Sequence, residues 1–153
     1  MGVLKLDHIG IIVELLEAAE RFFLDLGLER EGGGTVEGAW VDAVVGLDGV
    51  RNEIAMMRTP DGHGRVELIR VDVPPGGGSP EAAPPNRPGL RTVAFEVDDV
   101  RATVAGLRER GFDLVGELAD FEDVYRLCYV RGPEGIIVML AESLTGGSGN
   151  GQP

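Results

Sequence analysis

The sequence predicts an α+β fold of two β-α-β-β-β modules. Three observations carry that prediction. Leu6-Asp7-His8-Ile9-Gly10-Ile11-Ile12-Val13 and Leu90-Arg91-Thr92-Val93-Ala94-Phe95-Glu96-Val97 both read as strands that feed a helix. The helix stops fall at Gly27 and Gly111, each 19 positions after its reference residue, His8 or Thr92. Each half then closes on a strand after a glycine-containing turn, Gly64 to Ile69 in the first and Gly135 to Leu140 in the second. Superposing the halves sets His8 against Thr92 and Glu67 against Met139. One copy carries a histidine and a carboxylate; the other carries neither.

Each element follows from its own pattern. Residues 3–13 are apolar on both faces, which predicts a strand covered on both sides. Residues 14–26 place Leu15, Ala19, Phe22 and Leu26 on one helical stripe, with acidic residues elsewhere. Leu28 to Gly32 reads as a short strand that fades into the glycines at 32–34. Residues 39–47 fit either a strand or a helical turn. Val50 to Met57 is a strand, residues 59–64 a hairpin connection, and Arg65 to Val73 the returning strand. Residues 74–89 hold six prolines and four glycines and read as a linker without packing residues. In the second copy Asp98 or Asp99 caps a helix with Val100, Val104 and Leu107 on its apolar stripe. Strands follow near 114–117, 124–130 and 136–141. The predicted organisation is a module over 3–73, the linker over 74–89, a second module over 90–142, and a flexible tail over 143–153. From helix stop to last-strand site is 40 positions in the first copy (27 to 67) and 28 in the second (111 to 139). The difference of 12 matches an extra segment at 37–48.

Composition narrows the function. The chain has 153 residues, room for one ordinary domain or two small modules. Its net charge is −12, with one lysine against thirteen arginines and no basic stripe, which disfavours nucleic acid. The acidity keeps a protein soluble or attracts a cationic ligand. No apolar run approaches a membrane span, and no secretory signal is visible, so a cytoplasmic location is expected. The single cysteine, Cys128, excludes an internal disulfide and reads as a buried structural thiol in an apolar strand.

The layout resembles the vicinal oxygen chelate superfamily, whose members include glyoxalase I, extradiol dioxygenases, methylmalonyl-CoA epimerase, and fosfomycin and bleomycin resistance proteins. The resemblance covers about residues 3–142. It rests on Leu6-Asp7-His8-Ile9-Gly10, Val93-Ala94-Phe95-Glu96-Val97-Asp98-Asp99 and Gly132-Pro133-Glu134-Gly135. It implies curved mixed sheets around a shared cleft, a homodimer, and a divalent metal (Zn, Ni, Mn or Fe) held from the first and last strands of each module. Carried over, the four ligand positions are His8, Glu67, Thr92 and Met139. Histidine and carboxylate suit first-row divalent ions, whereas a neutral hydroxyl is a poor ligand and a thioether prefers soft ions. Metal binding is therefore expected to be weak or absent.

The remaining candidates each carry two readings. His8 is a catalytic or ligating residue, or a hydrogen-bonded histidine in an apolar strand. Glu67, between Val66 and Leu68, is functional or ion-paired with Arg65, Arg51 or Arg91. Arg91 and Arg126 bind an anionic substrate group or are ion-paired surface residues. Tyr125 or Glu122 reaches inward towards a substrate from the strand near 124–130 or the loop before it. Trp40 walls a ligand pocket, or packs the insertion or a dimer contact. Met139 lines an adaptable pocket or fills the core. Asp7 is expected on the face opposite His8 and so outside the site.

Two functions fit. One is a glyoxalase-like lyase, isomerase or epimerase in which Glu67 takes a proton next to a carbonyl and a metal or protonated His8 stabilises the enolate. The other is a non-catalytic protein that sequesters a small molecule, as bleomycin resistance proteins do.

Overall fold

The computed structural model describes residues 2–78 and 81–145. The chain forms two compact units, Met1–Pro80 and Glu81–Pro153, each an α/β module with a curved mixed sheet. The first runs β1 (Ile9–Ile12), α1 (Leu16–Leu26), β2 (Glu29–Glu37), α2 (Ala39–Val45), β3 (Arg51–Arg58) and β4 (Arg65–Val73). Its sheet order is β1-β4-β3-β2, with β1 parallel to β4 and the other pairs antiparallel. The second runs β5 (Thr92–Glu96), α3 (Val100–Glu109), β6 (Asp113–Leu114), β7 (Ala119–Phe121), β8 (Tyr125–Arg131) and β9 (Ile137–Ser143). Its order is β5-β9-β8-β6, with β7 also paired to β8, and β5 parallel to β9.

The registers show the repeat at single-residue level. Gly10 pairs with Glu67 across the first parallel pair, and Ala94 pairs with Met139 across the second. Leu68 faces Ala55 in one sheet and Leu140 faces Cys128 in the other. β6 and β7 both pair with β8 and together occupy the place of the single long β2. The extra segment of the first copy holds α2.

One face of each sheet carries its module's helix. α1 buries Ala19, Phe22 and Phe23 above Ala55, Met57, Val66 and Leu68. The rings of Phe22 and Phe23 meet edge to face, 5.2 Å between centroids, a favoured aromatic geometry. The helix closes at Gly27, whose φ of 113° lies in the left-handed region that favours glycine. α3 buries Val100, Val104 and Leu107 above Cys128, Val130, Val138 and Leu140. Its first turn is capped twice. Asp99 accepts from the Ala102 backbone N–H at 2.9 Å, and the Glu142 carboxylate on β9 accepts from that of Val100 at 2.9 Å. Burial pushes the Cys128 thiol above its ordinary pKa, which keeps it neutral and inert.

Several expectations need correction. Strand β1 is only four residues long, and residues 3–13 are not covered on both sides: Val3, Leu4, Leu6 and Ile12 are exposed. Ladder pairing begins only at Ile9, so the apolar run before it lacks a partner strand. Leu15 is likewise exposed, and Phe23 takes its place on the buried stripe of α1. β2 runs through Gly32, Gly33 and Gly34 to Glu37 instead of fading there, because β3 supplies an unbroken antiparallel partner. Residues 39–45 resolve as helix. Ala83, within the proline-rich segment, is buried, and the backbone of Glu81 and Ala82 lies against Gly135, where a side chain would collide. The tail expectation falls, beyond Thr145, outside the described residues.

Adjacent glycines in β2 give a discriminating test. A Cβ on Gly33 would collide with the Ile54 carbonyl oxygen, whereas one on Gly32 would meet nothing within 4 Å. Gly33→Ala is expected to cost roughly 2 kcal/mol in urea unfolding, and Gly32→Ala less than about 0.5 kcal/mol.

Candidate functional site

Glu67 lies at the third position of β4, between the buried Val66 and Leu68. Alternation turns its side chain to the face opposite α1. There its neighbours across the ladders are Gly10 of β1 and Met56 of β3. Gly10 contributes no side chain, which leaves room beside the carboxylate. His8 stands one residue before β1, and its Nε2 lies 3.6 Å from Glu67 Oε2. The Glu67 side chain retains 21% of its exposure and that of His8 37%. The carboxylate is thus partly desolvated yet reachable.

The other ring nitrogen is held by Asp7. His8 Nδ1 lies 2.8 Å from Asp7 Oδ2. That hydrogen bond, reinforced by charges on His8, Lys5 and Arg65, pulls the Asp7 pKa below the ordinary carboxylate value. Asp7 is therefore ionised at neutral pH and can only accept, so Nδ1 carries the proton. Nε2 is left facing Glu67. The expectation that Asp7 stands apart from His8 is wrong. Strict alternation holds only within a paired strand, and both residues precede the first ladder pair.

Among the described residues of the first module, the arginines expected to neutralise Glu67 do not pair with it. Arg65 makes a two-point contact with Glu31, at 2.7 and 3.1 Å. Arg51 forms no ion pair with Glu67 among the described residues. His8 is the nearest basic group to this carboxylate.

The other candidates take varied positions. In the second module Thr92 opens β5 and is half-buried, and Met139 of β9 lines a cavity with Leu127 and Tyr129. Arg126 is engaged by Asp120 at 2.8 Å and approaches Glu142 at 4.0 Å, which raises its own pKa and lowers that of Asp120. Arg91 is half-buried, and its Nε finds no partner among the described residues. Tyr125 begins β8, half-buried, opposite Phe121 and Ser143. In the first module Trp40 is 65% exposed on α2.

The His8–Glu67 pair could share one ion. Two donors each about 2.1 Å from a metal stand about 3.4 Å apart at a tetrahedral angle. The wider donor set does not fit a resident divalent ion. Among the described residues no three histidine, cysteine or acidic side chains are placed so that they could hold one metal ion. At the matching positions the second module offers a hydroxyl and a thioether, neither of them an anion or an imidazole.

The fold agrees with comparisons to known proteins. The model of the Glyoxalase/Bleomycin resistance protein/Dioxygenase superfamily matches residues 7–129. The chain belongs to that superfamily. It is similar to the crystal structure of a glyoxalase family protein from Bacillus cereus, with 46% identity and a TM-score of 0.90 over 94% of this chain and 97% of that one. A glyoxalase/dioxygenase from Nostoc punctiforme shares the fold at 20% identity, TM-score 0.65, over 94% and 97% of the two chains. So does a mutant of the fosfomycin resistance protein FosX from Listeria monocytogenes, crystallised with Mn(II) and 1S,2S-dihydroxypropylphosphonic acid, at 12% identity, TM-score 0.63, over 94% of each chain. No curated protein matched the chain. No helix among the described residues is long and apolar enough to cross a membrane.

Asp7 is legible in the sequence only as the neighbour of His8, since strand alternation assigns it to the opposite face. The cavity residues Ala119 and Leu127 carried no signal beyond ordinary strand composition.

Having only two histidines makes the Asp7 contact directly measurable. In long-range 1H–15N spectra of the neutral form, His8 is expected to show a protonated Nδ1 and an unprotonated Nε2. Asp7→Ala is expected to shift His8 towards the Nε2–H tautomer that free imidazole side chains favour, while His63, in the 59–64 hairpin, keeps its signals. An unchanged His8 pattern in Asp7→Ala would show that the contact does not set the tautomer.

Proposed function

We propose that this chain is a glyoxalase-like enzyme that moves a proton next to a carbonyl, of the lyase, isomerase or epimerase type, without relying on a complete metal site. The observation that supports it best is the Asp7–His8–Glu67 chain, with its two contacts of 2.8 and 3.6 Å. In this reading Glu67 is the general base. Its carboxylate takes the proton from the carbon next to the substrate carbonyl, and the C–H bonding pair becomes the enolate. Glu67, now protonated, returns that proton from the same side to the neighbouring carbon, the former carbonyl carbon. His8 in its protonated form donates a hydrogen bond from Nε2 to the developing oxyanion. Asp7 fixes which nitrogen faces the reaction. Gly10 leaves the approach to the carboxylate open.

A sequestering role is the second reading. It is favoured by the −12 charge and by the neutral residues at the second module's equivalent positions. The two readings separate in deuterated water. Under the enzyme reading, one of a panel of 2-oxoaldehyde hemithioacetals, 2-hydroxy ketones and 2-substituted malonyl thioesters exchanges its α-proton for deuterium when incubated with the protein. Under the binding reading, a ligand saturates the protein with no exchange in any compound. Glu67→Gln keeps the side chain's volume and removes its basicity. It is expected to lower exchange by about 10²-fold or more, with an unchanged circular dichroism spectrum. A variant that exchanges as fast as the parent would remove Glu67 from the mechanism.

The proposal includes a homodimer, with the exposed Trp40 as a candidate contact. Light scattering at micromolar concentration is expected to give twice the chain mass, and Trp40→Glu to lower it.

A further inference from the structure

A pairing that would disarm Glu67 lies within reach on its own strand. Arg65 and Glu67 stand two positions apart on β4, so their side chains leave the same face of the sheet. Residues at that spacing are about 7 Å apart along a strand, a span that an arginine and a glutamate side chain together cover. A guanidinium set against a carboxylate favours its charged form and so weakens it as a base. Arg65 instead turns across the sheet to Glu31 on β2, with Nε 2.7 Å from Oε2 and Nη2 3.1 Å from Oε1.

The local shape of β2 puts Glu31 there. The ladder with β3 pairs Arg30 with Met57 and Gly32 with Met56, so Glu31 is an extra residue, a β-bulge without a ladder partner of its own. Arg30 lies on the helix-covered face, where its Nε meets Glu20 of α1 at 2.9 Å. Glu31 reaches Arg65 on the open face, and Gly32 pairs with Met56 on that same face. Regular alternation would send residues 31 and 32 to opposite faces; the bulge places them together. Gly32 has no side chain to crowd the Glu31 carboxylate. Arg58 of β3 stands directly opposite Arg65, where like charges repel, and it is taken by Glu29 at 2.9 Å. Each arginine thus has its own β2 carboxylate. The two-point contact with Arg65 holds the Glu31 carboxyl below its ordinary pKa, so it is ionised at neutral pH.

We propose that Glu31 is a positioning residue for the proton transfer: by holding the Arg65 guanidinium across the sheet, it keeps Glu67 free to act as a base. Its effect on rate rests on the reading of Glu67 as that base; the placement of Arg65 does not. A bulge suits the task, because it re-aims one side chain while the strands on either side keep their pairing.

Two measurements test the proposal. The first is a pair of crystal structures, of the parent and of Glu31→Ala. The parent is expected to show Arg65 on Glu31, and Glu31→Ala to show the guanidinium within hydrogen-bond distance of the Glu67 carboxylate. A guanidinium that turns to Asp7 or to solvent in Glu31→Ala, or that already lies on Glu67 in the parent, overturns the proposal. The second is deuterium exchange at saturating substrate, with the compound of the panel that the parent turns over. Glu31→Ala is expected to slow exchange by about tenfold. Glu31→Gln, which keeps the volume and one acceptor, is expected to fall between Glu31→Ala and the parent. The double variant Glu31→Ala/Arg65→Gln is expected to recover most of the lost rate, because the released cation is gone. Were Glu31 needed only to hold the strands together, losing a second charge would not restore the rate. A double variant as slow as Glu31→Ala, or a Glu31→Ala as fast as the parent, therefore overturns the positioning role. A parent that exchanges no compound overturns the Glu67 reading and the effect on rate with it. The crystal structures, solved without substrate, still decide whether Glu31 holds Arg65 off Glu67.

Discussion

Parallel strands cannot be joined by a tight turn, and the pairing of β1 with β4 and of β5 with β9 dictates what lies between them. In each module the chain must travel out, cover one sheet face with a helix, add the intervening strands, and return beside its start. The helix then buries one face and leaves the other open. Because side chains alternate, the parallel register decides which residues meet on the open face. A shift of one position would bury Glu67 under α1 and expose Val66 and Leu68. The placement of Glu67 opposite Gly10, and of Met139 opposite Ala94, follows from that one constraint.

The covered faces have changed little between the copies. Val66 and Leu68 correspond to Val138 and Leu140, Met57 to Val130, and Ala55 to Cys128; all are buried. Phe23 on α1 corresponds to Leu107 on α3, again both buried. Close packing explains this, since a core position tolerates only side chains of similar volume and polarity. The open faces have no such partner within their module. Glu67 and Met139 could diverge there at little cost to either fold. Ionic groups are managed locally in the same way: Arg65 is held by Glu31, Arg126 by Asp120 and Arg108 by Asp113, so the carboxylate of Glu67 is left to His8.

Much of this was legible in the sequence because periodicity and glycine stops report local rules. The β4 limits, Arg65 to Val73, the α3 stripe and the Asp99 cap follow directly from pattern. The failures share a cause. β1 was overestimated because apolar composition does not say where a partner strand begins. β2 was cut short because the glycines at 32–34 are weak strand formers alone, and only pairing with β3 sustains them. Asp7 was misplaced because alternation was extended beyond the ladder. The cavity was not legible at all, since it arises from residues on β7, β8 and β9 brought into register by folding. His8 and Glu67 were found because the repeat singled them out, whereas their 3.6 Å separation required coordinates.

The asymmetry of the copies also has a direction. A carboxylate at position 139 would face Leu127 and Tyr129 across an apolar cavity, with no histidine at position 92 to meet it. At this half-buried position an unpaired carboxylate would lose part of its hydration with no partner to replace it. Restoring the histidine alone would leave an imidazole beside a thioether, with neither an anion nor a shared proton. The two positions therefore depend on each other, and loss of one removes the reason to keep the other. The Asp7–His8–Glu67 chain survives in the first module because each member satisfies the next. In the second, once that mutual satisfaction is gone, the favourable solution for the same sheet face is an apolar one. Met139 between Ala94 and Tyr129 is that solution.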